Sequence, residues 1–494
     1  IFVEGENDGV FNANDYVLFY AKGPHSWKVD SSLETADHIQ NLYSDVSYYF
    51  LTISEGAGKR IANQTLVTGA TVKQIDSYDD FVFYEKEEKN LFAIGTQWFG
   101  EDFSAVNTRD FKIKFPNALQ NAQMKIKVRG AAISALSSSM AITLNSQNVF
   151  SINYPNVNSG SLTLGYPNHN SAITTNSNDV LDISITYNNN GNPGAKAYLD
   201  YIEIVGKKKL LADGNQFSFR SFEAFKNVGV VEFQIANGNN IDQVWDVSDQ
   251  INPKALANIS TGNDFIFKAN GEVLHEYIVL GQSDFYVPKV EDNSLLKNQN
   301  LHGIKDVNYL VITNQELYLQ ASRLAEYHQN ISGLSTKVVQ LSEIYNEFGS
   351  GSPDITSIRD FIKNIYASNT NANGKLKYVC LFGDGSYDYK DRITNNTNIV
   401  PVFESVQSFN LATSYVTDDY FVMLEPDEGS MFTTHTIDVA SGRIPVSTIQ
   451  QATDVVDKIL SYYKVDSFGD WRNTITLLAD DIDASGEETL QSGM

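Results

Sequence analysis

Residues Tyr378–Arg392 read YVCLFGDGSYDYKDR. An apolar run, Tyr378 to Phe382, stops at Gly383-Asp384-Gly385-Ser386 and passes into a turn rich in Tyr and Asp. A buried strand looks like this when it delivers polar groups to the carboxyl edge of a parallel sheet, where open α/β sheets place ligands and catalysis. The run also holds Cys380, the only cysteine of the chain. This stretch therefore decides the fold and where to look for chemistry.

Outward from it, helix and strand patterns alternate after about residue 303. Tyr309–Thr313 (YLVIT), Val338–Leu341, Asp419–Leu424, Ile437–Ala440 and Ile475–Ala479 read as further strands. Gln315–Ser332 reads as a helix with Leu317, Ala321, Leu324, Ala325 and His328 on one face, and Asp354 can cap another whose stripe is Ile358, Phe361, Ile362 and Ile365. Ser447 and Gln450 are spaced as a capping box for a third, carrying Ala452, Val455, Val456, Ile459 and Tyr463. Strands alternating with helices predict a parallel sheet with right-handed crossovers over 303–494.

The rest reads as β. In 1–205, the segments Tyr16–Tyr20, Val46–Ile53, Phe81–Phe83, Met124–Val128, Ala141–Leu144 and Leu181–Tyr187 are short, rich in β-branched and aromatic residues, and separated by Asn, Gly and Ser clusters. Tyr198–Val205 alternates like a half-buried strand. A second β unit or a continuation of the first spans 206–290, with Val230–Ile235, Gln243–Val247, Asp264–Lys268 and Tyr277–Leu280, and 291–302 reads as a linker.

With 494 residues the chain has room for roughly three domains. At 42% hydrophobic and 19% charged it is a globular composition. A net charge of −24 repels phosphate backbones and anionic lipid, so nucleic acid is not an expected partner. One cysteine excludes an internal disulfide and zinc sites built on CxxC pairs. No apolar run reaches the ~18 residues of a transmembrane helix. The chain starts at Ile1 without a signal-like segment and ends in GEETLQSGM with no closing element, which reads as a piece of a longer protein.

Three constellations bear on chemistry. Gly383-Asp384-Gly385-Ser386-Tyr387-Asp388 comes close to GxGxxG, but Asp388 would set a carboxylate where a pyrophosphate needs neutral donors. A tight turn in which Ser386 and Asp388 cap local backbone fits better. Cys380 sits inside an apolar run, where a thiol is hard to ionise and to reach, so it reads as core. The histidines at 25, 38, 169, 275, 302, 328 and 435 form no HExxH or other metal spacing, and no GxSxG occurs, so neither a metal nor a cofactor is expected. Thr417-Asp418-Asp419-Tyr420 precedes one expected strand. Asp480, Asp481, Asp483, Glu487 and Glu488 follow another. The plain reading of the last group is a solvated acidic loop; the sharper one is a carboxylate that orients a histidine.

Together, YVCLFGDGSYDYKDR, TDDYFVMLEPDEG (417–429), IDVASGRIPVSTIQQATDVVDKILSYY (437–463) and WRNTITLLADD (471–481) resemble the gingipain-type cysteine peptidases, and among them the sortases of the type IX secretion system. GPHSW (23–27) and VWDVSD (244–249) resemble the same sortases. The resemblance implies a caspase-like α/β domain, incomplete here, preceded by all-β domains. It implies a Cys–His dyad whose His-Gly and small-residue/Ala-Cys motifs match no position of this chain, leaving Asp481 or its neighbour Asp480 as the acid that would contact the histidine. The implied chemistry is cleavage of a carboxy-terminal sorting domain through an acyl-enzyme that an amine on anionic lipopolysaccharide, or water, resolves. The implied partners are secreted cargo, an outer-membrane β-barrel shuttle and other attachment-complex proteins, at the outer face of the bacterial outer membrane. The alternative is a non-catalytic surface module that binds carbohydrate or protein, with Tyr154, Tyr166 and Tyr187 as candidates for stacking on sugars.

Overall fold

In the computed structural model, Tyr309–Thr313 is buried along its whole length at the centre of a four-stranded parallel sheet. The model describes residues 1–476 apart from 54, 57, 177, 282–283, 292–294, 369, 371–373 and 432–433. Thr336–Gln340 lies on one side of the central strand; Tyr378–Phe382 and then Ala440–Ile444 lie on the other. The helices Leu341–Phe348 and Ile355–Ala367 cover one face. Their expected stripe, Ile358, Phe361, Ile362 and Ile365, is wholly buried. Each such side chain contributes roughly 1.5–3 kcal/mol by leaving water. The helices Tyr318–Ser332 and Ile449–Tyr462 cover the other face, which holds Cys380 and Phe382. Asp354 caps Ile355–Ala367 as predicted, its Oδ1 accepting from the Thr356 amide at 2.7 Å.

Four expectations shift. The run Asp419–Leu424 contains a 3₁₀ turn, Asp419–Val422, with Tyr420, Phe421 and Val422 all buried. A short apolar run buried on every side has no period to tell strand from helix. The edge strand is Ala440–Ile444 rather than Ile437–Ala440, in register with Tyr378–Phe382. The cap of the last helix is Thr448 with Gln451, one residue on from Ser447 and Gln450: Thr448 Oγ1 accepts from the Gln451 amide, and Gln451 Oε1 accepts from the Ser447 amide. The helix expected from Gln315 begins at Tyr318. The expected strand Ile475–Ala479 falls mostly outside the described residues.

The β portion forms a sandwich and a second β unit. One sandwich sheet orders Gln147–Tyr154, Ser138–Leu144, Val180–Asn188 and Thr108–Lys114; the other orders Tyr166–Asn176, Ala122–Ile133, Lys196–Lys209 and Ser77–Glu85. Alternating burial along Ser138–Leu144 turns Met140 and Ile142 inward against Ile126, Val128, Ile202 and Ile204. Tyr154 and Tyr187 belong to this core and Tyr166 is half-buried, so two of the three candidate sugar-stacking tyrosines are sealed in. The second unit packs Phe219, Phe233, Phe267 and Tyr277 between a five-stranded and a three-stranded sheet. The early segments Ala62–Asn63 and Thr71–Ile75 join those sheets in parallel, so the amino-terminal chain threads through the second unit.

Val46–Ile53 has strand-forming composition but forms no strand. Strand-forming composition does not make a strand without a paired partner. Instead this stretch of chain bridges the two halves of the molecule. Just before it Tyr43 packs against Tyr389 at 4.8 Å, and within it Tyr48 and Phe50 lie against Gly351 of the α/β unit.

The chain from 383 to 417 leaves the α/β sheet, folds back over its edge through Ile399 and Val400, and reaches the sandwich at Phe409. Phe409 is buried against Phe99 at 5.7 Å and Phe92 at 5.4 Å. Backbone bonds flank it, Leu164 N–H to Phe409 O at 2.8 Å and Leu411 N–H to Leu162 O at 2.9 Å. Phe409→Ala would open a cavity at this joint. It is expected to lower unfolding free energy by about 3–5 kcal/mol in urea titrations; a change within error would show that the joint is not a packed interface.

Candidate active-site edge

The edge is built from the turn that follows Tyr378–Phe382. Gly383 adopts φ 155°, and a Cβ there would meet Ile399 Cγ2 at 2.7 Å, so the close approach needs glycine. The Asp384 amide donates to Val446 O at 3.0 Å, while its carbonyl accepts from the Ile399 and Val400 amides, both at 2.9 Å. Its carboxylate accepts from Thr397 Oγ1 at 2.7 Å and from the Gly385 amide at 3.1 Å. Thr313 on the neighbouring strand donates its hydroxyl to Phe382 O at 2.7 Å.

Asp388 is completely buried. Its carboxylate accepts from the amides of Lys390 (3.2 Å), Arg392 and Ile393 (2.7 Å). Its own amide donates to Ser386 Oγ at 3.1 Å. This is the capping turn read from the sequence. A phosphate would meet a buried carboxylate here, and no helix follows the turn.

Arg443, in the Gly-Arg-Ile-Pro segment, ties the edge together. Nε and Nη2 form a bidentate pair with Asp418 at 2.9 and 2.7 Å. Nη1 donates to the carbonyls of Gly383 (2.8 Å) and Val400 (2.6 Å), and Nη2 to that of Pro401 (3.1 Å). These five bonds match the five N–H donors of a guanidinium. Sequence reading took Arg443 only as part of the stretch 437–463 that carries the resemblance and missed this role, because its partners lie 25 to 60 residues away.

Cys380 does not face this edge. It packs with Tyr309, Ala321, Leu324 and Val456 under the helices, and burial pushes its thiol up to about 11 despite the contact with Tyr309 and the charge of Arg443. His328 lies over Tyr309 edge-on at 5.2 Å, half-buried on the helix face assigned to it, and burial lowers its pKa. Ser248, His275 and Asp246 come together as a triad would, yet Ser248 Oγ (3.4 Å) and Asp246 Oδ2 (3.0 Å) both address Nδ1. A relay needs them on opposite ring nitrogens. Trp27 of GPHSW packs on His38 and Phe81, while His25 accepts from the Asn41 amide at 3.1 Å, which makes that motif a scaffold. Asp480, Asp481, Asp483, Glu487 and Glu488 lie outside the described residues. Among the described residues no group of three or more His, Cys, Asp or Glu is placed to hold a metal, and no helix is long and apolar enough to cross a membrane.

Beneath the edge runs a charged seam that sequence reading also missed. Lys390 Nζ, almost fully buried, bonds Asp45 at 2.6 Å and Glu87 at 2.7 Å. Arg392 stacks on Trp98 with 4.0 Å to the ring centroid and reaches Glu87 at 3.3 Å. The turn that begins at the carboxyl edge thus ends in contact with the sandwich and the amino-terminal segment. Most donors and acceptors described at the edge are paired, with Arg392 Nη1 and Asn396 Oδ1 as buried exceptions, and the one thiol near it, Cys380, is held protonated by burial.

Residues 304–494 match the family model "Peptidase family C25". Over the whole chain the fold is similar to the crystal structure of dimeric latent PorU from Porphyromonas gingivalis, with TM-score 0.80 and 26% identity, covering 96% of this chain and 46% of that one. The chain therefore spans about half the length of that structure. Short local likenesses reach the carbohydrate-binding module CBM36 (18% identity, 24% of this chain, 98% of that one, TM-score 0.18) and a family 35 module from Clostridium thermocellum (15%, 26%, 90%, 0.17). No curated protein matches.

Cys380 provides a direct check on the geometry. Burial keeps the Cys380 thiol both protonated and out of reach of solvent. A disulfide reagent such as DTNB is expected to leave native Cys380 unmodified over hours at pH 8 and to react fully within minutes in denaturant. Rapid native labelling would mean that the thiol is open to solvent.

Proposed function

Starting from a PorU-like chain whose residues 304–494 match peptidase family C25, we propose that it is part of a type IX secretion peptidase that acts as a sortase. The observation that carries the reading is this pairing of the family match with a fold shared along 96% of the chain. In the proposed reaction a cysteine thiolate attacks the carbonyl at the junction between a secreted cargo and its carboxy-terminal sorting domain. The C–N bond breaks and the sorting domain leaves with the proton on its new amine. An amine on anionic lipopolysaccharide then attacks the thioester, forms the new amide and returns the thiol; water gives hydrolysis instead.

The described edge supports this chemistry as a frame. Arg443, Asp384 and Asp388 fix backbone at the carboxyl end of the parallel sheet, where α/β folds place reacting groups. Cys380 is not the nucleophile in this reading, because burial holds it protonated. The dyad is proposed to reside in the longer parent chain, with Asp481 or Asp480 orienting its histidine. The protein is proposed to act at the outer face of the outer membrane, held there by attachment-complex partners that include a β-barrel shuttle. Its acidic surface does not favour direct docking on anionic lipid.

The test is a thiol-reactive peptidyl probe on the full-length parent protein, with the modified residue located by mass spectrometry. One cysteine outside this chain is expected to take the label, in the Cys380→Ala variant as much as in wild type. Labelling at Cys380, or no active-site labelling at all, would overturn the proposal.

A further inference from the structure

The two sandwich sheets meet differently at their two open sides. On one side Asn168 and Asn170, in Tyr166–Asn176, donate their side-chain amides to Asn153 O and Ser151 O of the facing sheet, both at 2.8 Å, and sew the edges together. On the other side Ser77–Glu85 and Thr108–Lys114 meet through Tyr84 and Phe111, whose rings pack edge-on at 5.1 Å, and beside this contact lies a pocket of about 390 Å³. Tyr84, Lys86, Glu101, Thr108, Arg109 and Asp110 line it.

The interior of the pocket is arranged. Glu101 Oε1 accepts from the Tyr84 hydroxyl and pairs with Lys86 Nζ at 3.0 Å, and only about a tenth of the Glu101 side chain is exposed. Its second oxygen, Oε2, is buried and has no side-chain donor among the described residues. A buried carboxylate oxygen left without a donor is costly, and a small inward shift of the side chains would be needed for a donor to reach it. Arg109 is held in place by two bonds to Asp102 O, at 3.0 and 2.7 Å. Lys86 and Arg109 balance Glu101 and Asp110, so the pocket has no net charge to recruit an ion. It offers acceptors and donors side by side around an aromatic ring.

We propose that this pocket binds a neutral sugar residue of a glycan. Adjacent hydroxyls on a pyranose both donate and accept, so one can give its proton to Glu101 while its neighbour accepts from Lys86 or Arg109. The ring's C–H face can lie against Tyr84. The volume lies within the range of small-ligand sites. The position adds a consequence. Lys86 faces the pocket, while the next residue, Glu87, bonds Lys390 and Arg392 of the turn that leaves the parallel sheet. A sugar held here sits one residue from the joint between sandwich and α/β unit. The pocket's chemistry is independent of the peptidase reading.

The test is saturation-transfer NMR on the chain with D-glucose, D-galactose, D-mannose and N-acetyl-D-glucosamine, followed by titration of any sugar that gives a signal. At least one is expected to bind saturably with millimolar affinity, and Glu101→Gln and Tyr84→Ala each to weaken it by about 10-fold or more. Unchanged thermal unfolding would show that both variants keep their fold. If the Tyr84 variant unfolds, Glu101→Gln, which preserves shape, carries the test alone. No saturable binding of any of the four sugars, or equal binding by wild type and Glu101→Gln, would overturn the proposal.

Discussion

One guanidinium holds the carboxyl edge of the parallel sheet. Arg443 reaches from the edge strand Ala440–Ile444 to the Gly383 carbonyl just past Tyr378–Phe382, to the returning segment at Val400 and Pro401, and to Asp418 ahead of the 3₁₀ turn. Three separate pieces of chain converge on one planar group. Carbonyls at a strand end would otherwise face low-dielectric surroundings without partners, each costing about 1–3 kcal/mol. Lysine could not replace it, since three donors on a point charge cannot serve five acceptors in a plane. The Gly-Arg-Ile-Pro segment thereby bonds two of the other quoted stretches, Tyr378–Arg392 through Gly383 and 417–429 through Asp418.

From that clamp the rest of the molecule follows in two directions. Below the edge, Asp388 closes a turn that carries Lys390 and Arg392 into the charged seam with Asp45 and Glu87, while Arg392 rests on Trp98. Further along, Phe409 plugs the sandwich. The β-rich half is therefore joined to the α/β sheet through the insertion that starts at the edge, through backbone bonds, ion pairs and aromatic packing together. A body joined in so many ways is poorly suited to swing as a free module.

The sequence made the α/β alternation legible wherever burial had a period. Ile358, Phe361, Ile362 and Ile365 declared a helix, and Tyr309–Thr313 declared a strand buried on both faces. The capping role of Asp388 was legible because a carboxylate in a Gly/Ser/Tyr turn has local amides to accept from. Composition misled at Val46–Ile53, where aromatic and β-branched residues had no edge to pair with, and at Asp419–Leu424, where burial on every side erased the period. The Arg443 clamp and the Lys390 seam were not legible at all. Their partners lie up to 345 residues away in the chain, and only the fold brings them together.

Whether Arg443 sets the geometry of the edge is decided by amide hydrogen exchange compared between wild type and Arg443→Lys. Faster exchange is expected at residues 383–402 and 418–424, with the sandwich strands Ala122–Ile133 and Lys196–Lys209 unchanged. Unchanged protection at 383–402, or a uniform rise across both halves of the molecule, would contradict it.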